Sequence, residues 1–73
     1  MIEVRLFATL RQGRGKVFSL DAAEFKCGKD ILKEFQIPED EVAIFLINGF
    51  HSKPDDSVKD GDVIAIFPPV GGG

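Results

Sequence analysis

Residues 60–73 read DGDVIAIFPPVGGG, and the parsing of this stretch decides the fold. Asp60-Gly61 is a tight-turn pair, because glycine reaches left-handed backbone angles and aspartate bonds its own backbone. Val63–Phe67 follow as an apolar run rich in β-branched side chains, the composition of a strand buried within a sheet. Pro68 ends that strand, since proline has no N–H to give to a ladder. Gly71, Gly72 and Gly73 then form a tail without side chains, able to adopt backbone angles closed to other residues.

Working back from this strand, Asn48-Gly49 is the strongest short hairpin signal in the chain. It predicts a third strand in EVAIFLI (residues 41–47) and a short edge strand at Phe50–Ser52. Earlier, GKDILKEFQIP (residues 28–38) changes period: Ile31, Leu32 and Phe35 fall on one helical face, with Lys29, Asp30, Lys33 and Glu34 turned to water. Pro38 disfavours helix at Ile37, so a helix of two to three turns is expected. At the start, Ile2, Val4 and Leu6 alternate with Glu3, Arg5 and Phe7, the period of a half-buried strand. Gly13 and Gly15 mark a turn, and KVFSL (residues 16–20) returns as its hairpin partner.

The order is ββαββ(β). An α+β domain follows, with a mixed four- or five-stranded sheet, one main helix on one face, and the first and last strands as a central parallel pair. Its expected extent is residues 1–67, with residues 68–73 as a flexible Gly-rich tail. The third and last strands are apolar at both parities, whereas a sheet covered on one side should alternate. The face away from the helix is therefore expected to be apolar as well, with Phe7 adding to it, and such a face marks an interaction surface.

Composition narrows the function classes. The chain has 73 residues, one cysteine and a formal net charge of −3. A lone Cys27 excludes an internal disulfide and, without clustered His or Cys, argues against structural zinc and for a reducing compartment. The acidic balance argues against a nucleic-acid footprint, which needs a basic face. Arg11, Arg14 and Lys16, spaced by glycines, read as a solvated turn. The longest apolar run before a proline, Val42–Ile47, is too short to cross a bilayer. Glu3 and Arg5 interrupt the first apolar stretch, so no signal peptide is expected there. The cytoplasm is the expected compartment.

Side chains with catalytic potential are few. His51 follows a hairpin without a partner nucleophile or carboxylate and reads as exposed loop. Cys27, just before the helix, has no base or resolving cysteine beside it. PDDS and KDGD lack the ligand spacing of a calcium loop, and no Gly-rich loop joins a strand to a helix as a phosphate cradle would. The tail remains. From Pro68 to Gly73 it reaches at most about 20 Å, at roughly 3.3–3.6 Å per residue. Pro68 and Pro69 stiffen its base.

Taken together, VRLFATLR, VAIFLINGF and DGDVIAIFPPVGGG resemble the MoaD/ThiS family of ubiquitin-like sulfur carriers over nearly the whole chain. The Phe-Pro-Pro element before the glycines resembles the small subunit of molybdopterin synthase more than the thiazole-forming carrier. The resemblance implies a β-grasp fold and a carrier rather than a free-standing enzyme. It implies that the Gly73 carboxylate is adenylated by an ATP-using, E1-like enzyme and converted to a thiocarboxylate. Gly71 and Gly72 would then thread into a sulfur-accepting synthase subunit, with Phe7, Phe67, Pro68, Pro69 and Val70 contacting partners. No bound cofactor or metal is implied. Thiazole synthesis, another sulfur acceptor, conjugation as a ubiquitin-like modifier, and a plain interaction module stay open.

Overall fold

The computed structural model describes residues 1–69. It contains β1 (Ile2–Leu6), β2 (Val17–Leu20), α1 (Gly28–Glu34), β3 (Ile44–Ile47), β4 (Phe50–His51) and β5 (Val63–Phe67). Three 3-10 turns lie between them, at Ala8–Arg11, Ala22–Glu24 and Glu39–Glu41. The strands form one mixed sheet in the order β2-β1-β5-β3-β4. The first and last strands are neighbours and parallel, as the order of elements predicts, and the remaining pairings are antiparallel. This is the β-grasp arrangement, with five strands.

The alternation in β1 is expressed literally. Ile2, Val4 and Leu6 are buried and pack with Ile64 and Ile66 of β5, Phe45 of β3, and Ile31 and Leu32 of α1. Leu10, Ile37 and Val58 close the edges of this core. Phe35 half-covers it and leans against Phe18, with ring centroids 4.8 Å apart. Asn48 (φ 53°) and Gly49 (φ 84°) both adopt left-handed angles, as a two-residue hairpin turn requires. They set the register Leu46↔His51 and Ile47↔Phe50. His51 is exposed as expected, although it lies in β4 rather than in a loop.

The start of α1 is satisfied from outside the helix. Cys27 is the N-cap residue but gives no side-chain bond. Instead Gly28 N–H donates to the Asp56 carbonyl (3.1 Å) and Lys29 N–H to the Pro54 carbonyl (2.8 Å). Asp30 reaches back to accept from Lys26 N–H at 2.9 Å. The Gly28 and Lys29 bonds pair donors that a helix N-terminus leaves orphaned, and the Asp30 bond fixes the chain entering it.

The helix is short and excludes Ile37, as expected ahead of Pro38, but a second device sets where it ends. The helix stops at Glu34 because Gln36 turns left-handed (φ 56°), allowing Ile37 N–H to bond Leu32 O at 2.9 Å and Gln36 N–H to bond Lys33 O at 3.1 Å. This pair of bonds, with buried Leu32 against buried Ile37, is a Schellman ending. Pro38 instead leads into the acidic 3-10 turn Glu39–Glu41, so the third strand begins at Ile44.

Candidate functional site

The register identifies which parity faces away from α1. Ile64 and Ile66 point to the core, so Val63, Ala65 and Phe67 point outward. Opposite them stand Leu46 beside Ala65 and Ile44 beside Phe67. On β1 the outward positions are Glu3 and Arg5, which pair with one another. The apolar band therefore runs along β5 and β3 and stops at β1. It resumes at Phe7, just past the end of β1.

Phe7 and Phe67 stack face to face, with centroids 4.2 Å apart and planes 10° from parallel. Phe7 N–H donates to Ile66 O at 3.2 Å. Immediately afterwards Ala8 adopts φ 54°, a left-handed angle costing a non-glycine residue on the order of 1–2 kcal/mol. That bend starts the 3-10 turn, buries Leu10 and returns Arg11 across Phe7. The Arg11 guanidinium carbon lies 5.3 Å from the Phe7 centroid, and its Nε donates to Leu6 O at 2.8 Å. Both phenylalanines are half-buried, and Ile44 beside Phe67 is 37% exposed. An aromatic pair, an arginine and an open aliphatic residue on one patch is the composition of a protein-docking hot spot.

This patch lies at the root of the tail. Pro68 is half-buried and Pro69 exposed, and together with Thr9, Leu10, Gln12, Arg14 and Glu41 they line a cleft of about 440 Å³. The chain thus leaves the sheet between two 3-10 turns. Of the expected site residues, the structure brings together Phe7, Phe67, Pro68 and Pro69. Val70, Gly71, Gly72 and Gly73 lie outside the described residues.

Arg11 is a residue of this patch that the sequence reading placed in a solvated turn. Arg14 departs from that reading too. Its Nε donates to Phe35 O (3.0 Å), and its two terminal nitrogens donate to Leu10 O and Gln36 O (3.3 Å each). It ties the turn after β1 to the end of α1. Their spacing from Phe7 was visible, but the non-glycine bend at Ala8 that folds them back carries no local signal.

Elsewhere the chemistry is sparse. An open groove of about 680 Å³ runs beside α1, lined by charges of both signs. Among the described residues, no group of three or more His, Cys, Asp or Glu side chains could hold a metal ion. Among the same residues, no helix is long and apolar enough to cross a membrane. Lys29 Nζ lies 2.8 Å from Asp55, and the hydrogen bond with the opposite charge holds the Asp55 carboxyl below, and the Lys29 ammonium above, their ordinary values. Asp60 is held low by its bond to the N-terminal ammonium.

Known structures share this architecture. SAMP1 from Haloferax volcanii superimposes with a TM-score of 0.75 at 24% identity, covering 99% of this chain and 98% of that one. A candidate subunit 1 of molybdopterin converting factor from Pyrococcus furiosus gives 0.73 at 25% identity, covering 94% and 97%. Subunits 1 and 2 of molybdopterin-converting factor from Helicobacter pylori form a complex, and a chain of it gives 0.64 at 28% identity, covering 99% and 97%. A sequence search of curated proteins finds no match. The family model described as the ThiS family matches residues 4–73, from within β1 through the last glycine, and the chain belongs to that family.

Proposed function

We propose that this protein is a cytoplasmic sulfur carrier whose Gly73 carboxylate is the working group. An E1-like partner joins that carboxylate to the adenylyl group of ATP, releasing pyrophosphate. A sulfur nucleophile then displaces AMP to leave a thiocarboxylate. The carrier docks through Phe7, Phe67, Pro68, Pro69 and Val70, threads Gly71 and Gly72 into an acceptor subunit and gives up the sulfur, and water then supplies the oxygen at the Gly73 acyl carbon that returns it to the carboxylate. It is a recycled co-substrate in this cycle, and its partners supply the acid–base chemistry and the nucleotide.

The observation that carries the reading is the stacked Phe7–Phe67 pair on an open apolar face at the root of a tail that ends in three glycines. A docking patch beside a strand feeding a narrow tail lets one binding event both seat the domain and aim its end. Molybdopterin synthesis is the favoured destination, supported by the molybdopterin converting factor subunits among the similar structures.

The test is mass spectrometry of the C-terminal peptide after incubation with an activating enzyme, ATP and a sulfur donor. The expected result is exchange of one oxygen for sulfur at Gly73. Peptide-level assignment matters, because oxidation of Met1 or Cys27 changes the whole-protein mass by nearly the same amount. An unchanged tail with a competent activating enzyme overturns the reading. Transfer to a lysine amine would instead identify a modifier, and sulfur delivery to a thiazole precursor would identify the other carrier branch.

A further inference from the structure

Asn48-Gly49 joins a reactive sequence to a restraining fold. In an asparagine–glycine pair the backbone nitrogen of the glycine attacks the asparagine side-chain carbonyl carbon readily, because no side chain hinders the approach. Here the turn is exposed, and a Cβ built at Gly49 would meet nothing within 4 Å. Neither burial nor a neighbouring atom at Gly49 protects the pair.

The protection lies in the amide itself. Asn48 Nδ2 donates to Asp62 Oδ1 at 2.9 Å, and Asn48 Oδ1 accepts from Val63 N–H at 2.9 Å. Bringing Cγ over the Gly49 nitrogen means rotating the amide and breaking both bonds. The clamp is firm on its other side: Asp62 is 4% exposed, and its second oxygen accepts from Lys59 N–H at 2.9 Å. The Asn48 N–H also donates to Val63 O at 2.8 Å.

We propose that Asn48 is a latent deamidation site, held as the amide by Asp62 and Val63 and released only when the corner between β3 and β5 opens. In the reaction the Gly49 nitrogen bonds to Asn48 Cγ and loses its proton, and the side-chain nitrogen leaves as ammonia. Water then opens the cyclic imide to aspartate or isoaspartate. No oxidant or reductant takes part. The product cannot rebuild the clamp, since a carboxylate has no N–H for Asp62 and faces it with like charge. Isoaspartate also lengthens the backbone of the two-residue turn that sets the β3–β4 register. Because Val63 begins β5, the damage falls on the strand that leads to the tail.

Asn48 is the only asparagine, which makes the readout clean. The full chain is incubated at mildly alkaline pH, in buffer and across a urea series, and the amide-to-acid mass gain is followed at Asn48 by peptide mass spectrometry. Deamidation in the native protein should be slower than in urea by about tenfold or more, the factor set by opening a charge-assisted clamp. Asp62→Ala, if circular dichroism shows it folded, should deamidate faster than the native protein. Equal rates in buffer and in full denaturant overturn the proposal, and so does a folded Asp62→Ala variant as slow as wild type. If Asp62→Ala does not fold, the wild-type urea series decides: the rate must rise with the opened fraction, and a flat series overturns the proposal.

Discussion

A methyl group added at position 28 would sit 2.6 Å from Phe45 Cζ and 3.0 Å from the Pro54 Cα. The first contact could yield by tilting a ring, but Phe45 is buried in the core and the second contact is backbone. In an exposed helix, replacing glycine by alanine gains about 0.5–1 kcal/mol. Here overpacking should outweigh that gain, and Gly28→Ala is expected to lose about 1–3 kcal/mol. A urea-denaturation midpoint measures it, and a midpoint unchanged or raised would show that the loop around Pro54 simply moves. Phe45→Leu should make the added methyl at position 28 less costly than it is in the wild-type background, because the ring contact goes while the Pro54 backbone contact stays.

At the scale of elements, Arg14 is the piece that joins what the chain order separates. Its guanidinium serves carbonyls of Leu10, Phe35 and Gln36, bridging the turn after β1 to the last turn of α1. A cation at a helix C-terminus also suits the helix dipole. Arg14→Met keeps the aliphatic stem and is expected to cost about 1–2 kcal/mol in thermal or chemical unfolding. Arg14→Lys should restore less than half of that, since the three donors of an ammonium sit on one nitrogen, whereas the three carbonyls are met by three separate guanidinium nitrogens. The legibility of the chain divides along the same line. Strands, hairpin and helix were readable where the cause is local: the parity of Ile2, Val4 and Leu6, the left-handed pair Asn48-Gly49, and the helical face of Ile31 and Leu32. The left-handed bends at Ala8 and Gln36 were not, because neither residue favours that conformation and each is held there by bonds and burial made elsewhere. The two arginines were misread with them. Parity also foretold an outer apolar face, but only the register showed that Glu3 and Arg5 end it at β1.

For the whole molecule, the exposed ion pairs at Asp55 and Asp60 and the proposed docking patch each give their own measurement. Asp55 and Asp60 have carboxyls held below the ordinary 3.8 by Lys29 and the N-terminal ammonium. Their stabilising contribution is complete above that value and is lost as pH falls through the lower folded one. Lys29, raised above 10.5, contributes fully below that pH and loses its contribution as pH rises through the higher folded value. The contribution of the Lys29–Asp55 pair should therefore be flat between these limits and fall gently at both. The falls should shrink in about 1 M salt, where screening acts over about 3 Å, because these pairs are exposed. Unfolding midpoints followed against pH at two salt concentrations check this. The docking proposed above would depend instead on the patch of Phe7, Phe67 and Arg11. Phe67→Ala removes a half-buried ring and its stack on Phe7, so the fold should lose about 0.5–1.5 kcal/mol of pair energy plus the ring's burial. Because Phe67 lies in the proposed docking patch, the substitution should also weaken binding to a proposed activating or acceptor partner by about 2 kcal/mol or more, roughly thirtyfold. Val17 supplies the control, because it is 58% exposed on the same outward side but lies on edge strand β2, beyond Glu3 and Arg5. Calorimetric titration of both variants separates the alternatives. Loss with Phe67→Ala and not with Val17→Ala places the partner over the root of the tail. Equal losses would spread the interface across the whole sheet, and no loss with Phe67→Ala would mean that the partner reads the glycines alone.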